Sequence, residues 1–250
     1  MRLFALLGVM CAALAAGPGA HAEDGGAVDG FNARLSAFGG VTVDERAAGG
    51  TLGLTTPLGG DFGAQTNLNV LGVDQDAAFA GTGHLFWRRP QIGLIGVFGG
   101  YANRSDTFEN SFYRVGGEGQ YYLGRLTLDA AAAFEESRNT AGVTDDDVYV
   151  RAGVTYYLTD DFSASVGYRR FGGDDFAAGG VEYQVVSGKR AGLSLFGDAR
   201  VSVDETEDFS LLAGGRIYIS SPKSLIARQR EDDPQLYTTF DDILFGEVLE

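Results

Sequence analysis

The sequence has a single cysteine in 250 residues, Cys11, and it lies within an N-terminal apolar run. Disulfides and cysteine-ligated metals are therefore excluded from the chain that follows. The preceding Gly8-Val9-Met10 is not a lipobox, so Cys11 does not mark a lipoprotein. Long apolar runs are equally scarce. The only one covers 3–16, shorter than the ~20 residues a membrane-spanning helix needs. With a mean hydropathy close to zero, this excludes a helical membrane protein. It does not exclude a barrel, because alternation dilutes the hydrophobic signal of each strand. Basic residues are few: 19 Lys and Arg against 34 Asp and Glu, a net charge of −15. That balance argues against a nucleic-acid partner, which needs cationic surface. No GxSxG, HExxH, P-loop or GxGxxG phrase occurs, so no catalytic, cofactor or metal site is assigned.

The N-terminus reads as a secretory signal peptide. Arg2 precedes the apolar run, Gly17-Pro18-Gly19 breaks it, and Ala20-His21-Ala22 is a small-x-small cleavage site. Residues 1–22 are therefore set aside, and 23–29 are expected to be a periplasmic lead-in.

Most of the remaining chain alternates. In 191–203, Leu193, Leu195, Gly197, Ala199, Val201 and Val203 share one parity, and Ser194, Asp198, Arg200 and Ser202 take the other, with Phe196 as the apolar exception. In 209–219, Phe209, Leu211, Ala213, Gly215, Ile217 and Ile219 oppose Ser210, Gly214, Arg216 and Tyr218. Successive strand side chains face opposite ways, so each segment has one greasy and one polar face. The pattern predicts twelve strands, at 30–39, 50–58, 61–72, 78–88, 91–102, 111–123, 125–136, 147–158, 161–171, 177–186, 191–203 and 209–219. Each meets or exceeds the ~9–11 residues a tilted strand needs to cross a bilayer. The fold expected is an all-β, antiparallel, up-and-down transmembrane barrel over 30–221, with ten or fourteen strands as alternatives.

Connections alternate between short and long. Gly59-Gly60, Arg89-Pro90, Gly124, Thr159-Asp160 and 187–189 are short; 40–49, 73–77, 103–110, 137–146, 172–176 and 204–208 are longer. Short periplasmic turns and longer external loops are characteristic of outer-membrane barrels. The longer loops and their edges hold sixteen acids, among them Asp44, Asp106, Asp146 and Asp204, against Arg46, Arg104 and Arg138. They read as solvated extracellular loops, or as a surface that shares divalent cations with lipopolysaccharide. Aromatics cluster near strand ends. Phe62, Phe86, Trp87, Tyr121, Tyr122, Tyr156, Tyr157 and Phe162 mark the turn side; Phe38, Tyr101, Phe112, Tyr113, Tyr168 and Phe171 mark the loop side. Two interfacial girdles are expected.

The polar parity defines the candidate site. Its lumen-facing charged residues include Arg34, His84, Arg114, Glu118, Asp129, Arg151, Arg169, Glu182, Asp198, Arg200 and Arg216, with Arg88, Arg125 and Glu135 completing eight arginines and five acids. One reading is a pore favouring anions. The other is a network of Arg–carboxylate pairs that fills the barrel, since an enclosed charge is costly alone. His84, the sole histidine after the leader, supports a lumen-facing hydrolase as a further alternative. The tail, 222–250, carries Lys223, Arg228, Arg230 and Glu231-Asp232-Asp233-Pro234, then Leu236, Phe240, Ile243, Leu244 and Val248 at helix-like spacing. It reads as a frayed extension, a lumen plug, or a helix for a periplasmic partner.

Several phrases carry a family resemblance. Thr56-Pro57-Leu58-Gly59-Gly60-Asp61-Phe62-Gly63, Gly83-His84-Leu85-Phe86-Trp87-Arg88, Tyr157-Leu158-Thr159-Asp160-Asp161 and 223–234 resemble a subgroup of the porin-like outer-membrane β-barrels of Gram-negative bacteria. The likeness covers most of the chain after the leader and carries fold and location, not a substrate. It implies contact with outer-membrane lipid and lipopolysaccharide, both barrel ends returning to the periplasm, and insertion by the barrel-assembly machinery. Gly214, Ile217 and Ile219 match the family's final-strand assembly signal, although Leu212 stands where a polar residue is usual and the signal is internal. Twelve strands with inward arginines are similar to the acidic-oligosaccharide channels. The expectation is a narrow passive channel for small, anionic solutes. Its rival is a non-conducting structural or assembly barrel whose tail binds a partner.

Overall fold

A computed structural model describes residues 26–42, 45–73, 76–105, 110–138, 143–171, 173–188, 191–203, 209–219 and 222–236. The leader read over 1–22 and the acidic tips at Asp44, Asp74, Asp106 and 204–208 lie outside these residues.

Twelve strands follow in order: β1 (Asn32–Thr42), β2 (Glu45–Gly59), β3 (Phe62–Val73), β4 (Asp76–Arg89), β5 (Gly93–Ser105), β6 (Asn110–Leu123), β7 (Leu126–Arg138), β8 (Thr144–Tyr157), β9 (Phe162–Phe171), β10 (Asp174–Ser187), β11 (Gly192–Ser202) and β12 (Phe209–Ile219). Each pairs antiparallel with its neighbours, and β1 pairs with β12 from Ala33↔Ile219 to Thr42↔Ser210. The sheet is therefore a closed barrel without a free edge. The expected strand number is right. Arg34 lies opposite Tyr218 and Ser36 opposite Arg216, so the polar parity of the first strand meets that of the last. A one-residue slip would turn the whole polar set toward the outside.

Turns follow from local chemistry. Gly59 and Gly60 have φ of +109° and +54° between β2 and β3. A side chain is poorly tolerated there, which lets the chain reverse within two residues.

Most strands run further than the sequence pattern suggested, chiefly at the loop end. β1 reaches Thr42 and β2 begins at Glu45, so most of the loop expected over 40–49 is strand. β7 and β8 pair out to Arg138↔Thr144, which places Asp145, Asp146 and Asp147 on a strand. The division into short turns and long loops is correspondingly weaker than expected. Hydrophobic alternation stops where the strand leaves lipid, but the hydrogen-bond ladder of a hairpin continues into water.

Outside, Leu35, Leu68, Phe79, Ile95, Val115, Phe134, Val166, Leu195, Leu211 and Ile217 are exposed around the circumference. A soluble surface does not carry an apolar belt of that extent. The two aromatic girdles are only half present. Phe62, Tyr121 and Tyr156 point outward, whereas Phe86, Phe112, Tyr122, Tyr157 and Phe171 are buried in the interior. Adjacent aromatics on one strand must face opposite ways, so each doublet splits.

The inner face is not polar throughout. Ala47, Leu71, Val73, Ala78, Ala80, Ala102, Phe112 and Leu212 form one apolar cluster with Phe38 against it. Phe98, Ala131, Ala133, Tyr149, Phe171 and Phe176 form another, in which the Phe171 and Phe176 rings stack 4.7 Å apart. These clusters pack the inside of the barrel like the core of a soluble protein. Inward glycines make room for large neighbours. A Cβ at Gly214 would lie 2.8 Å from Phe38 Cβ and 2.9 Å from the Phe196 ring, besides striking the Ala37 carbonyl.

Gly214→Ala is therefore expected to destabilise the barrel by about 1–3 kcal/mol through overpacking. The measurement is the urea midpoint for refolding of purified protein onto lipid vesicles, without assembly machinery. An unchanged midpoint would restrict Gly214 to an assembly signal.

Candidate functional site

The residues that parity assigns to the lumen separate into distinct groups in the structure. The first begins at Arg34 on β1. Its guanidinium donates to Asp233 Oδ2 at 2.8 Å and to Asn67 Oδ1 at 2.7 Å. Asp233 comes from the tail, and Thr55 and Gln65 of β2 and β3 donate to its other oxygen at 3.2 and 2.6 Å. Asn67 leads on to His84, 3.4 Å away at Nε2, and His84 Nδ1 lies 2.7 Å from Glu118 Oε1. His84 is almost wholly enclosed, with the Phe98 ring 6.0 Å away. These hydrogen-bond partners are an amide and a carboxylate, with no serine or threonine hydroxyl between them.

The second group lines a cavity of about 200 Å³. Its wall contains Arg34, Arg151, Arg169, Arg200 and Arg216, with Glu182 and Asp198 as the only acids among the described lining residues. Arg151 pairs with Asp129 at 3.0 Å, Arg200 with Asp198 at 2.9 Å and Arg216 with Glu182 at 2.5 Å. Phe196, the exception to the alternation, lies in this wall with the Arg216 guanidinium 4.5 Å from its ring centre. A planar cation over an aromatic face keeps its edge free for hydrogen bonds. The cavity thus carries a modest positive excess on a wall where most charges are already paired.

Other expected lumen charges lie elsewhere. Arg114 is buried against Glu135, 4.0 Å over the Tyr149 ring and away from the cavity. Glu118 and Asp129 border a smaller gap beside Arg151. Arg125 does not face the lumen. It stands exposed in the turn after Gly124 and pairs with Asp160 at 2.7 Å. A turn residue escapes strand alternation, so parity does not apply to it. Gly214 faces inward on β12 while Ile217 and Ile219 are exposed on its outer face.

The turn end of the barrel is closed by the chain itself. After β12 the tail is helical over Leu225–Ala227 and Arg228–Asp232. Leu225, Arg228, Gln229, Asp232, Asp233 and Leu236 are all buried. The helix spacing read from Leu236 to Val248 lies outside the described residues except for Leu236, which is not helical. The helical part is instead the charged stretch before it. Arg228 donates to Gln184 at 3.2 Å and lies 4.9 Å over the Tyr218 ring. Arg230 donates to the Gly124 and Leu126 carbonyls at 2.8 and 2.9 Å. Lys223 holds Asp29, Glu231 and Asp232 together. Burial pushes the Asp232 carboxyl above its ordinary range, and Lys223 acts in the opposite direction. On the inner side, Gln229 and Gln235 both donate to Glu182, at 3.3 and 2.9 Å. Gln235 and Leu236 form part of the cavity wall. The lead-in adds Ala27 and Val28, packed with Phe86, Leu94 and Leu236, and Arg88 donates to the Ala27 and Glu231 carbonyls.

Sequence reasoning missed Asp233, Gln229 and Gln235 as lumen residues. Strand periodicity has no jurisdiction over a folded-back tail. The one available signal was an Arg/Asp-rich tail following a barrel whose inner wall carries Arg and Glu.

No protein-family model matches the chain, and no curated protein matches it in sequence. Its fold is nevertheless similar to solved membrane barrels. A KdgM porin in complex with disordered oligogalacturonate has a TM-score of 0.53 and 10% identity, covering 75% of this chain and 98% of that one. A chain from work on the in-meso crystallization of membrane proteins has a TM-score of 0.53 and 14% identity, covering 83% and 95%. The translocator domain of the autotransporter NalP from Neisseria meningitidis has a TM-score of 0.47 and 15% identity, covering 76% and 87%. At these identities the two likenesses with a TM-score of 0.53 show the fold alone, a closed antiparallel β-barrel.

Glu182 connects wall and tail, accepting from Arg216, Tyr218, Gln229 and Gln235. Glu182→Gln leaves the Arg216 charge without its partner and is expected to cost about 3–5 kcal/mol. The measurement is again the urea midpoint of refolding onto vesicles; no change would mean that this pair has no structural role.

Proposed function

We propose that the protein is a porin-like outer-membrane channel for small anionic solutes, held closed at its turn end by residues 222–236. The observation that carries this reading is the cavity wall, where five arginines face two acids in a chain of net charge −15. A protein so acidic overall gains nothing in solubility from enclosing arginines. Concentrated on one inner wall, they set a positive potential that favours anions over cations. The apolar belt and the secretion signal support the outer membrane as the location, with acidic loop ends outside and both termini in the periplasm. The KdgM porin, whose solved complex contains oligogalacturonate, is consistent with an acidic solute but does not identify one.

A non-conducting barrel is the second reading. It is favoured by the paired state of Arg34, Arg151, Arg200 and Arg216 and by the seated tail.

Planar-bilayer recording separates the two. The protein after leader removal is expected to conduct weakly, and deletion of 222–250 to raise the open level several-fold. The reversal potential in a potassium chloride gradient is expected to show anion preference, reduced in Arg169→Gln/Arg200→Gln. Silence of both the full chain and the deletion would sink the channel reading. Preference for cations would overturn the role given to the arginines.

A further inference from the structure

Asp233 sits where an anionic solute would bind. Its carboxylate receives Arg34 on one oxygen and Thr55 and Gln65 on the other. All three donors stand on strands β1, β2 and β3, so they remain in place whether or not the tail is present. Arg34 also lines the arginine cavity, together with Gln235 and Leu236, two and three residues beyond Asp233. One guanidinium therefore belongs both to the tail's seat and to the solute's path. Arg34 is 7% exposed and Asp233 3%, which leaves no space for a second carboxylate on the same donors.

We propose that Arg34, Thr55 and Gln65 form a carboxylate-binding seat shared by the chain's own Asp233 and a carboxylate-bearing solute, so that tail seating and solute binding exclude each other. This rests on the anion-channel reading and adds its control. If the tail left without replacement, the Arg34 guanidinium would lose its carboxylate and keep only Asn67, and Thr55 would lose its acceptor while Gln65 kept only Thr55. Both losses are costly, so the vacated seat favours an incoming anion. The solute then opens the turn end by exchange, taking over the bonds that Asp233 gives up. The Gln65 donation to the Pro234 carbonyl at 3.0 Å and the Gln120 donation to the Gln235 carbonyl at 2.9 Å are released in the same step. The apparent affinity for solute is lowered by the fraction of molecules whose seat is free.

The test uses trypsin as a reporter of the tail, since Arg228 is buried and Arg230 is bound to wall carbonyls when the tail is seated. Glucuronate is the carboxylate probe, glucose the neutral control and sodium chloride the ionic-strength control. In the full-length protein in detergent, glucuronate is expected to accelerate cleavage after Arg228 and Arg230, and the two controls are not. Asp233→Asn is expected to be cleaved without glucuronate and, by calorimetry, to bind it about tenfold more tightly. Arg34→Gln is expected to be insensitive to glucuronate. If wild-type cleavage ignores glucuronate, or responds equally to sodium chloride, the shared seat is overturned whether or not any variant folds. Anion-selective conductance together with glucuronate-insensitive cleavage would sink only the exchange. Glucuronate-dependent cleavage without conductance in any form would support the seat and sink the channel.

Discussion

Everything in this molecule depends on the ladder between β1 and β12. Inside a bilayer, an unpaired backbone amide or carbonyl costs several kcal/mol, and an open sheet would present a row of them along each edge. Closure removes both edges at once. It also fixes which parity faces inward on every strand, because the antiparallel register passes from neighbour to neighbour around the ring. The charged side chains on the inner wall follow from closure and have no other route out of lipid.

Once inside, those charges must be satisfied, and the barrel does so in two ways. On one part of the wall the charges are paired by their neighbours, as in Arg114 with Glu135 and Arg151 with Asp129. Around Arg34 and Glu182 the tail adds partners to those on the wall. Toward the loop end, two apolar clusters also pack on the inner wall. A barrel of this size lies between the small, side-chain-filled barrels and the wide porins. Its interior combines both solutions, with a packed apolar portion and a polar cavity. The turn end is closed by a segment that contributes carboxylate and amide groups to an arginine-bearing wall.

Much of this could be read from the residues. Alternation such as Leu193-Ser194-Leu195 and Leu211-Ala213-Arg216-Ile217 gives strand, parity and number, because period two is a local property of the extended backbone. The lumen positions of Arg34, Glu182, Arg200 and Arg216 follow from the same rule. The rule fails in recognisable places. Arg125 lies in a turn, where alternation ends. Phe98 and Phe112 point inward, since facing direction depends on register and is indifferent to polarity. The strand extension through Asp145 and Asp146 carries no hydrophobic signal, because hydrogen bonding alone maintains a hairpin in water.

The sequence by itself determined that the chain forms a strand-built barrel with an apolar exterior, and the face that each strand charge takes. These are consequences of local periodicity and of the scarcity of cysteine and long apolar runs. Only the tertiary structure decided how the enclosed charges are used. Arg34 and Asp233 are 199 residues apart in sequence, and no local pattern can join a wall arginine to a tail carboxylate. The division of the lumen into filled and hollow parts, and the closure of one end by the chain's own tail, arise from those long-range contacts.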